Sequence, residues 1–329
     1  DYMFRMQIQS KKKCIWYCSA AVSFLLFLLL NLWCDHLVNM QDAQQMAGRW
    51  SEKKDVAQIS CFFSSKAEVT EDTIQSFEYS LKNVLQEASI TETSENPSAR
   101  LWVDAYSADG KITLVNGRNT LDANAIGIGG DFFLFHPLKL ITGSYFSGND
   151  LMQDYCIIDQ DAAWQLFGSN DVVGMTVYIG NVPHIVTGVV RRPQGRMEKA
   201  AGLTSTVVYV SYETLEAYGT SKGINHYEIV MPNPVDEFAY GKVKEGIGID
   251  EKNVEIVENS RRYSLPNRIK TILAFGTRSM NGKAIIYPYW ENLARGYEDI
   301  IALLTVFMLF LLLYPVVTVI WCFVHWWRH

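Results

Sequence analysis

Two uncharged apolar stretches decide the fold: CIWYCSAAVSFLLFLLLNLWC at 14–34 and IIALLTVFMLFLLLYPVVTVIWCFV at 300–324. At 1.5 Å of rise per residue, helices of these lengths reach roughly 31 and 37 Å, enough to cross a hydrocarbon core of about 30 Å. The first stretch is longer than the apolar region of a secretory signal, which has about 7–15 residues, and it lacks a clear cleavage site. We therefore predict transmembrane helices at 14–34 and 300–324, rather than a cleaved signal peptide or a buried core helix.

The charges that flank these stretches predict their orientation. Residues 1–13 have a net charge of +3, residues 35–299 have −10 and residues 325–329 have +1. Cytoplasmic flanks of membrane helices favour lysine and arginine, so we expect both terminal tails, 1–13 and 325–329, in the cytoplasm. The large segment at 35–299 is then extracytoplasmic. Its acidic balance argues against a nucleic-acid partner.

The extracytoplasmic segment mixes helical and strand-like patterns, which predicts an α+β domain. Residues 35–53 are polar with few helix breakers, so we expect them to continue the first membrane helix outward as a stalk. A second stalk is expected at 291–299, before the second span. Val56–Phe63 predicts a strand. Thr70 predicts a helix N-cap, because acidic residues follow it and apolar residues then recur with helical spacing.

The middle of this domain is predicted to be mostly β. Short apolar runs alternate there with dipeptides that are typical of hairpin turns. These dipeptides are Asp109-Gly110, Asn116-Gly117 and Gly180-Asn181. We expect a β-rich lobe at about 101–200, inserted into a lobe built from the sequence on both sides of it. Helices are expected at Asp161–Phe167, ending at Gly168, and at Tyr212–Tyr218 and Arg262–Phe275.

Two of the six cysteines, Cys61 and Cys156, lie in the extracytoplasmic segment. Each stands in a strand-like run, where free cysteine behaves as a small apolar residue. We expect two buried free thiols, with a single disulfide as the alternative if the two strands meet.

The sequence predicts no catalytic, cofactor-binding or metal-ligating residues and no enzymatic activity. It contains no Gly-x-x-x-x-Gly-Lys-Ser/Thr motif, so we do not expect this chain to bind ATP itself. Gly219–Gly223 fits Gly-x-Ser-x-Gly, with His226 nearby, but a predicted helix precedes Ser221 where a nucleophile elbow needs a buried strand. None of the outer histidines has a second histidine or cysteine at helical ligand spacing. These histidines are His36, His136, His184 and His226.

Three further features have structural interpretations. Arginine clusters at 191–196 and 261–270 are expected to be solvated faces, with lipid headgroups or an acidic peptide as alternative partners. The aromatic run at 287–290 is expected at the outer membrane interface or packed against the stalk. Pro315 removes one hydrogen bond from the second span and is expected to kink it.

Five short motifs between residues 143 and 190 are the most specific signal in the domain. They are a turn at Gly143-Ser144-Tyr145-Phe146, a strand at Cys156-Ile157-Ile158, a helix ending Leu166-Phe167-Gly168, a turn at Gly174, and a hairpin ending Val186-Thr187-Gly188-Val189. In this order, the motifs resemble the extracytoplasmic core domain of MacB/FtsX-type ABC transporter permeases. Ser144 stands where the family often has arginine, and Met175 where it often has lysine. The motif glycines are expected to be turn residues.

The resemblance implies a permease-like subunit in a bacterial plasma membrane. Such a subunit couples ATP hydrolysis on a cytoplasmic ABC ATPase to motion of the extracytoplasmic domain, for export or mechanotransmission. Its expected partners are that ATPase, a second permease-like subunit or a second copy of the chain, and membrane lipid. The family has two further membrane helices, so we expect a truncated or split permease, or an accessory subunit derived from one. The alternative is a non-transporting, membrane-anchored docking protein whose ectodomain binds a partner.

Overall fold

The chain divides into two compact units. The computed structural model describes residues 2–327 except 52–54, 92–98 and 279–282, with side chains from residue 14 onward. The helical unit comprises Asp1–Gln41, Tyr263–Arg278 and Arg295–His329, and the sheet unit comprises Asp42–Arg262 and Ser279–Ala294.

Helices and strands alternate in the α+β arrangement that the sequence predicts. The helices are α1 at Tyr2–Asn39, α2 at Met46–Trp50, α3 at Glu71–Glu87, α4 at Phe132–Phe135, α5 at Gln160–Phe167, α6 at Arg196–Ala200, α7 at Tyr212–Tyr218, α8 at Phe238–Gly246, α9 at Leu265–Leu273 and α10 at Tyr289–Trp327. The strands are β1 at Val56–Phe63, β2 at Val103–Asn116, β3 at Asn119–Gly130, β4 at Lys139–Gly143, β5 at Tyr155–Asp159, β6 at Thr176–Ile179, β7 at Val182–Arg191, β8 at Val207–Ser211, β9 at Thr220–Ser221, β10 at His226–Pro232 and β11 at Val254–Glu258.

The strands of the sheet unit form one hydrogen-bonded network, in the order β11-β1-β10-β2-β3-β8-β5-β7-β4. Strand β6 also pairs with β2 and β7, and β9 pairs with β2. The β3–β8 and β5–β7 pairs are parallel, and the other pairs are antiparallel. The segment at 101–200 contributes β2 to β7, and β8 lies between β3 and β5. Strands from both predicted lobes therefore share one sheet.

Two of the three predicted hairpin turns are confirmed, and one is wrong. Asn116-Gly117 begins the turn between β2 and β3, and Gly180-Asn181 joins β6 to β7 with φ of 56° and 67°. Asp109-Gly110 instead lies in the middle of β2, paired with β3. A Cβ on Gly110 would lie 2.4 Å from the carbonyl oxygen of Thr220 on β9. This glycine therefore permits a close strand crossing and does not form a turn.

Side-chain caps and buried apolar faces fix the helices of the sheet unit. Thr70 is the N-cap of α3, as predicted. Asp159 caps α5 by accepting a hydrogen bond from the Ala162 N–H at 2.8 Å, and Gly168 ends α5 in the left-handed region at φ 71°. The apolar face of α3 is buried against the sheet through Ile74, Phe77, Leu81 and Leu85.

Two apolar clusters form the core of the sheet unit. The larger one joins the sheet to α3, α5, α7 and α8, and it includes Cys61 on β1 and Cys156 on β5. Both thiols are buried and free, because β1 pairs with β10 and β11 whereas β5 pairs with β7 and β8. This confirms the expected free thiols. The smaller cluster includes Phe132, Phe135 and Trp290, the last from the first turn of α10.

Two described helices are long and apolar enough to cross a membrane, one at Cys14–Asn39 within α1 and the other α10. The predicted spans at 14–34 and 300–324 lie inside them. The expected helical stalk at 35–53 is wrong as a continuous helix, because α1 ends at Asn39. Beyond it the chain folds onto the sheet unit, where Met46 is buried and its N–H donates to Gln58 Oε1 at 3.0 Å. Packing against the sheet thus replaces helix continuation.

Within the helical unit, α1 supplies the hydrogen bond that a proline removes from α10. Pro315 has no N–H to donate to the Leu311 carbonyl. Ser23 Oγ on α1 donates to that carbonyl at 2.7 Å, and one turn away Ser19 Oγ lies 2.7 Å from the Tyr314 hydroxyl. Proline is tolerated in membrane helices when a neighbouring helix satisfies the freed carbonyl in this way.

We expect Ser23→Ala to weaken the α1–α10 contact by about 0.6–1.7 kcal/mol, the range of interhelical hydrogen bonds in membranes. In a Pro315→Ala background the substitution should cost less, because the new backbone N–H then donates to the Leu311 carbonyl within the helix. A double-mutant cycle of unfolding in detergent measures the difference. Thr305→Ala is the control, since that hydroxyl bonds within α10. Equal costs for Ser23→Ala in both backgrounds would contradict the assignment.

A carboxyl pair links α3 to β2. Glu78 and Asp104 share a side-chain hydrogen bond, and the Tyr227 hydroxyl donates to Asp104 Oδ2 at 2.9 Å. Burial, reinforced by the charge of Asp104, raises the pKa of Glu78 from 4.5 to about 8. The folded chain therefore holds a proton that the unfolded chain releases above pH 4.5. This contribution to folding stability is complete below that pH and is lost as the pH rises towards 8.

The Glu78–Asp104 pair predicts that the stability of the fold depends on pH through the Glu78 carboxyl. Between pH 5 and 8, the urea midpoint of the wild-type chain should fall more than that of Glu78→Gln, whose amide cannot ionise. Glu87→Gln, an exposed change on the same helix, should retain the wild-type profile. Parallel profiles for wild type and Glu78→Gln would show that the proton is not held by this pair.

Candidate functional site

The first turn of α10 is buried in the sheet unit, although the sequence placed it at a membrane interface or against a stalk. The Trp290 ring lies 4.3 Å from the His136 ring, 5.3 Å from the His226 ring and 5.8 Å from the Phe132 ring, between centroids. Glu291, the next residue, is 1% exposed. A membrane-length helix therefore begins inside the core of a globular unit.

A bidentate ion pair holds this turn. Arg262 Nη1 and Nη2 donate to the two carboxylate oxygens of Glu291, each at 2.7 Å, and the side chains are 2% and 1% exposed. Arg262 Nη1 also lies 3.1 Å from Gln44 Oε1 and 3.3 Å from Asn259 Oδ1. The expectation that 261–270 is a solvated face is therefore wrong for Arg262. A buried arginine needs such a fixed, planar set of acceptors.

Beside the ion pair, three ligand-type side chains converge in the core. His226 and Glu228 are two residues apart on β10, so they project to the same face of the sheet. His136 follows α4 and reaches them from the smaller apolar cluster. His136 Nε2 lies 2.6 Å from Glu228 Oε2, and His226 Nε2 lies 3.6 Å from Glu228 Oε1. Ser60, opposite Glu228 on β1, donates its hydroxyl to Oε1 at 2.6 Å.

Burial and the neighbouring side chains act in opposite directions on the groups of this cluster. Burial opposes ionisation of Glu228, but the two neighbouring imidazoles outweigh it and hold the pKa of Glu228 below its usual range. Burial lowers the pKa of His136, against the attraction of the Glu228 charge.

Sequence reasoning missed this cluster, because it looked for ligands close together in the chain. The alternation of His226 and Glu228 on a strand was a usable signal, since such residues share one face. Nothing in the sequence pattern indicates that His136 joins them, because that requires the path of the chain from α4 to β10.

The other candidate residues of the sequence have structural roles. Gly219 is the C-cap of α7 and Ser221 lies in the two-residue strand β9, so Gly219–Gly223 does not form a strand–helix elbow. Ser221 borders an open groove of about 390 Å³ that also includes Asp109, Lys111 and Lys222. His184 is buried elsewhere, with Nε2 3.2 Å from Thr214 Oγ1.

Comparison with known proteins identifies the class of the chain. The family model described as "MacB-like periplasmic core domain" matches residues 40–256. The Macrolide export ATP-binding/permease protein MacB of Pasteurella multocida is 31% identical over 98 residues, which are 29% of this chain and 14% of that protein. A probable export ATP-binding/permease protein of Pseudomonas fluorescens is 32% identical over 117 residues, 35% of this chain and 17% of that protein. The matched part is thus a small fraction of those relatives.

Two solved structures are also similar. The periplasmic region of MacB from Actinobacillus actinomycetemcomitans is 20% identical with a TM-score of 0.42, covering 67% of this chain and 94% of that one. The extracellular domain of the noncanonic ABC-type transporter YknZ from Gram-positive bacteria is 19% identical with a TM-score of 0.39, covering 61% and 99%.

The fold and the family match define an ABC transporter permease domain, flanked by two helices that can cross a membrane. The chain belongs to the family of MacB-like periplasmic core domains. Gly168, Gly174 and Gly180 are turn residues with positive φ, as expected, whereas Gly188 of the last motif lies within strand β7.

The ion pair predicts a specific pattern of stability. Arg262→Met should lower the free energy of unfolding by about 3–5 kcal/mol, because Glu291 stays buried without its guanidinium partner. The double variant Arg262→Met/Glu291→Leu should recover most of that loss. Arg261→Met, which removes two more exposed ion pairs, with Asp236 and Glu258, should cost at most about 1 kcal/mol. Urea unfolding of the full chain in detergent measures all three, and equal effects of the two arginine substitutions would contradict the assignment.

Proposed function

We propose that this chain is a permease-like subunit of a MacB/FtsX-type ABC transporter complex. It couples ATP hydrolysis on a cytoplasmic partner subunit to motion of its extracytoplasmic domain, for export or mechanotransmission. Membership of the MacB-like family supports the transporter class. The observation that supports coupling is α10, a single helix whose first turn is buried in the sheet unit and whose continuation can cross a membrane.

The proposed coupling depends on the strength of the contact at the base of α10. A helix transmits displacement along its length because each turn is hydrogen-bonded to the next. Motion of the membrane segment therefore pulls on Trp290 and Glu291. Separating Glu291 from Arg262 would leave two charged groups buried without their ionic partners, so displacement of the helix is expected to displace the sheet unit.

Arg262 also contacts a residue close to another of the four places where the chain passes between the two units. Its Nη1 donates to Gln44, a few residues after α1 ends at Asn39, and to Glu291, near the start of α10. One guanidinium group thus links the segment by which the chain first enters the sheet unit to the segment by which it last leaves it. Motion of either helix would reach the sheet through this residue.

The same proposal assigns partners and location. The sequence has no P-loop, so a cytoplasmic ABC ATPase supplies hydrolysis, and we expect no enzymatic activity in this chain. A second permease-like subunit or a second copy completes the complex, in contact with membrane lipid. The chain lies in a bacterial plasma membrane, with both termini in the cytoplasm.

The alternative is a non-transporting, membrane-anchored docking protein. The groove bordered by β2 and β9 favours it, since an open concave surface with charged residues of both signs can bind a partner.

Isolation of the full chain from its native membranes in mild detergent tests the proposal. We expect an ATPase with Walker motifs to copurify. Adding ATP should then change the emission of a fluorophore attached at Tyr79→Cys, an exposed position on α3. Arg262→Met should abolish that change while Arg261→Met retains it. Recovery with neither an ATPase nor a second permease would contradict the transporter function and favour the docking protein.

A further inference from the structure

We propose that His136, His226 and Glu228 form a binding site for a divalent transition-metal ion of the zinc type. The proposal is independent of the transporter function, because it concerns an equilibrium property of the purified chain. Two imidazole nitrogens and one carboxylate oxygen are a common protein ligand set for zinc. The three ligand atoms lie within 4.8 Å of one another, and all three residues are at most 4% exposed.

The ligand atoms of the cluster face inward, towards one another. Within the part of the chain that the structure describes, His136 Nε2, His226 Nε2 and Glu228 Oε2 have no hydrogen-bond partner outside the cluster, and His136 Nε2 and Glu228 Oε2 lie 2.6 Å from each other. Buried polar atoms are normally fully paired, and three ligand atoms that face only one another can share one common partner. A metal ion would satisfy all three at once.

The geometry requires only a small adjustment. Ligand atoms bound to one tetrahedral zinc ion at about 2.0–2.2 Å lie about 3.3 Å from each other. The gap between His136 Nε2 and Glu228 Oε2 is 2.6 Å, whereas that between His226 Nε2 and Glu228 Oε1 is 3.6 Å. Side-chain rotations that widen the first and narrow the second would centre an ion among the three residues.

An outer shell already orients these ligands. His226 Nδ1 lies 3.3 Å from Ser107 Oγ, which leaves Nε2 facing Glu228. Ser60 Oγ donates to Glu228 Oε1 and itself accepts from Asn259 Nδ2 at 2.6 Å. Metal-binding histidines and carboxylates usually have such partners on the side away from the ion.

The surroundings suit one bound dication. The aromatic rings of Phe62, Phe132 and Trp290 pack against the two imidazoles and exclude water. The nearby Arg49 guanidinium is bound to the backbone carbonyls of Asp42 and Leu134, at 2.6 and 2.7 Å. Its hydrogen bonds therefore do not occupy the carboxylate.

A bound ion would strengthen the packing around the first turn of α10. It would cross-link His226 and Glu228 on β10 to His136, whose ring contacts the Trp290 ring. We expect metal binding to stabilise the fold, because the unfolded chain has no preformed site.

The test uses the full chain in detergent, freed of any polyhistidine tag and stripped with a chelator. After equilibration with Zn²⁺, metal analysis should find one more zinc ion per chain in the wild type than in His226→Gln or Glu228→Gln. Saturating Zn²⁺ should raise the thermal midpoint of the wild type but not of these variants. Ser60→Ala should weaken Zn²⁺ binding about 10–100-fold, the usual effect of losing an outer-shell partner.

Two further measurements keep the test decisive if a variant folds poorly. His184→Gln, which alters a buried histidine outside the cluster, should keep the extra zinc ion. Titration of the unmodified chain with Co²⁺ should give the intense visible absorption of a four-coordinate ion. The proposal would be overturned if the wild-type chain bound no more Zn²⁺ than the His226→Gln and Glu228→Gln variants, or if the Co²⁺ spectra showed only six-coordinate ions. The three residues would then form only an imidazole–carboxylate network. Failure of ATPase copurification would not affect this result.

Discussion

The structure depends on one buried ion pair, Arg262 with Glu291. Removing both charges from water is costly, and the two parallel hydrogen bonds compensate for that cost only while the first turn of α10 stays in place. A carboxylate two residues into a membrane-length helix is therefore held by the core of the sheet unit. This constraint holds the first turn of α10 in the core of the sheet unit.

The polar residues around this attachment form a single region of the fold. Strands β1 and β10 provide Ser60 and Glu228, the segment after α4 provides His136, and α10 provides Trp290. Each buried polar group lies close to another from a different part of the chain, which restricts how these elements can move separately.

Local patterns predicted much of the fold but little of this region. Strand β1 and helix α7 have the predicted bounds, because apolar runs and caps are short-range signals. The turn predicted at Asp109-Gly110 is wrong, because β9 packs across Gly110 and leaves no room for a Cβ there. The sequence predicts a solvated Arg262 because its partner, Glu291, lies much later in the chain, near the start of α10. The histidine cluster and the end of α1 at Asn39 depend on tertiary contacts that no local pattern encodes.

Hydrogen exchange at the base of α10 tests the account most directly. The amides of Glu291 and Asn292 both donate to the Pro288 carbonyl at 3.1 Å, so their exchange reports on this first turn. If the ion pair fixes the turn in the core, these amides should exchange as slowly as those of β10, through global unfolding. Rapid exchange at both positions while β10 stays protected would show that α10 is only loosely attached.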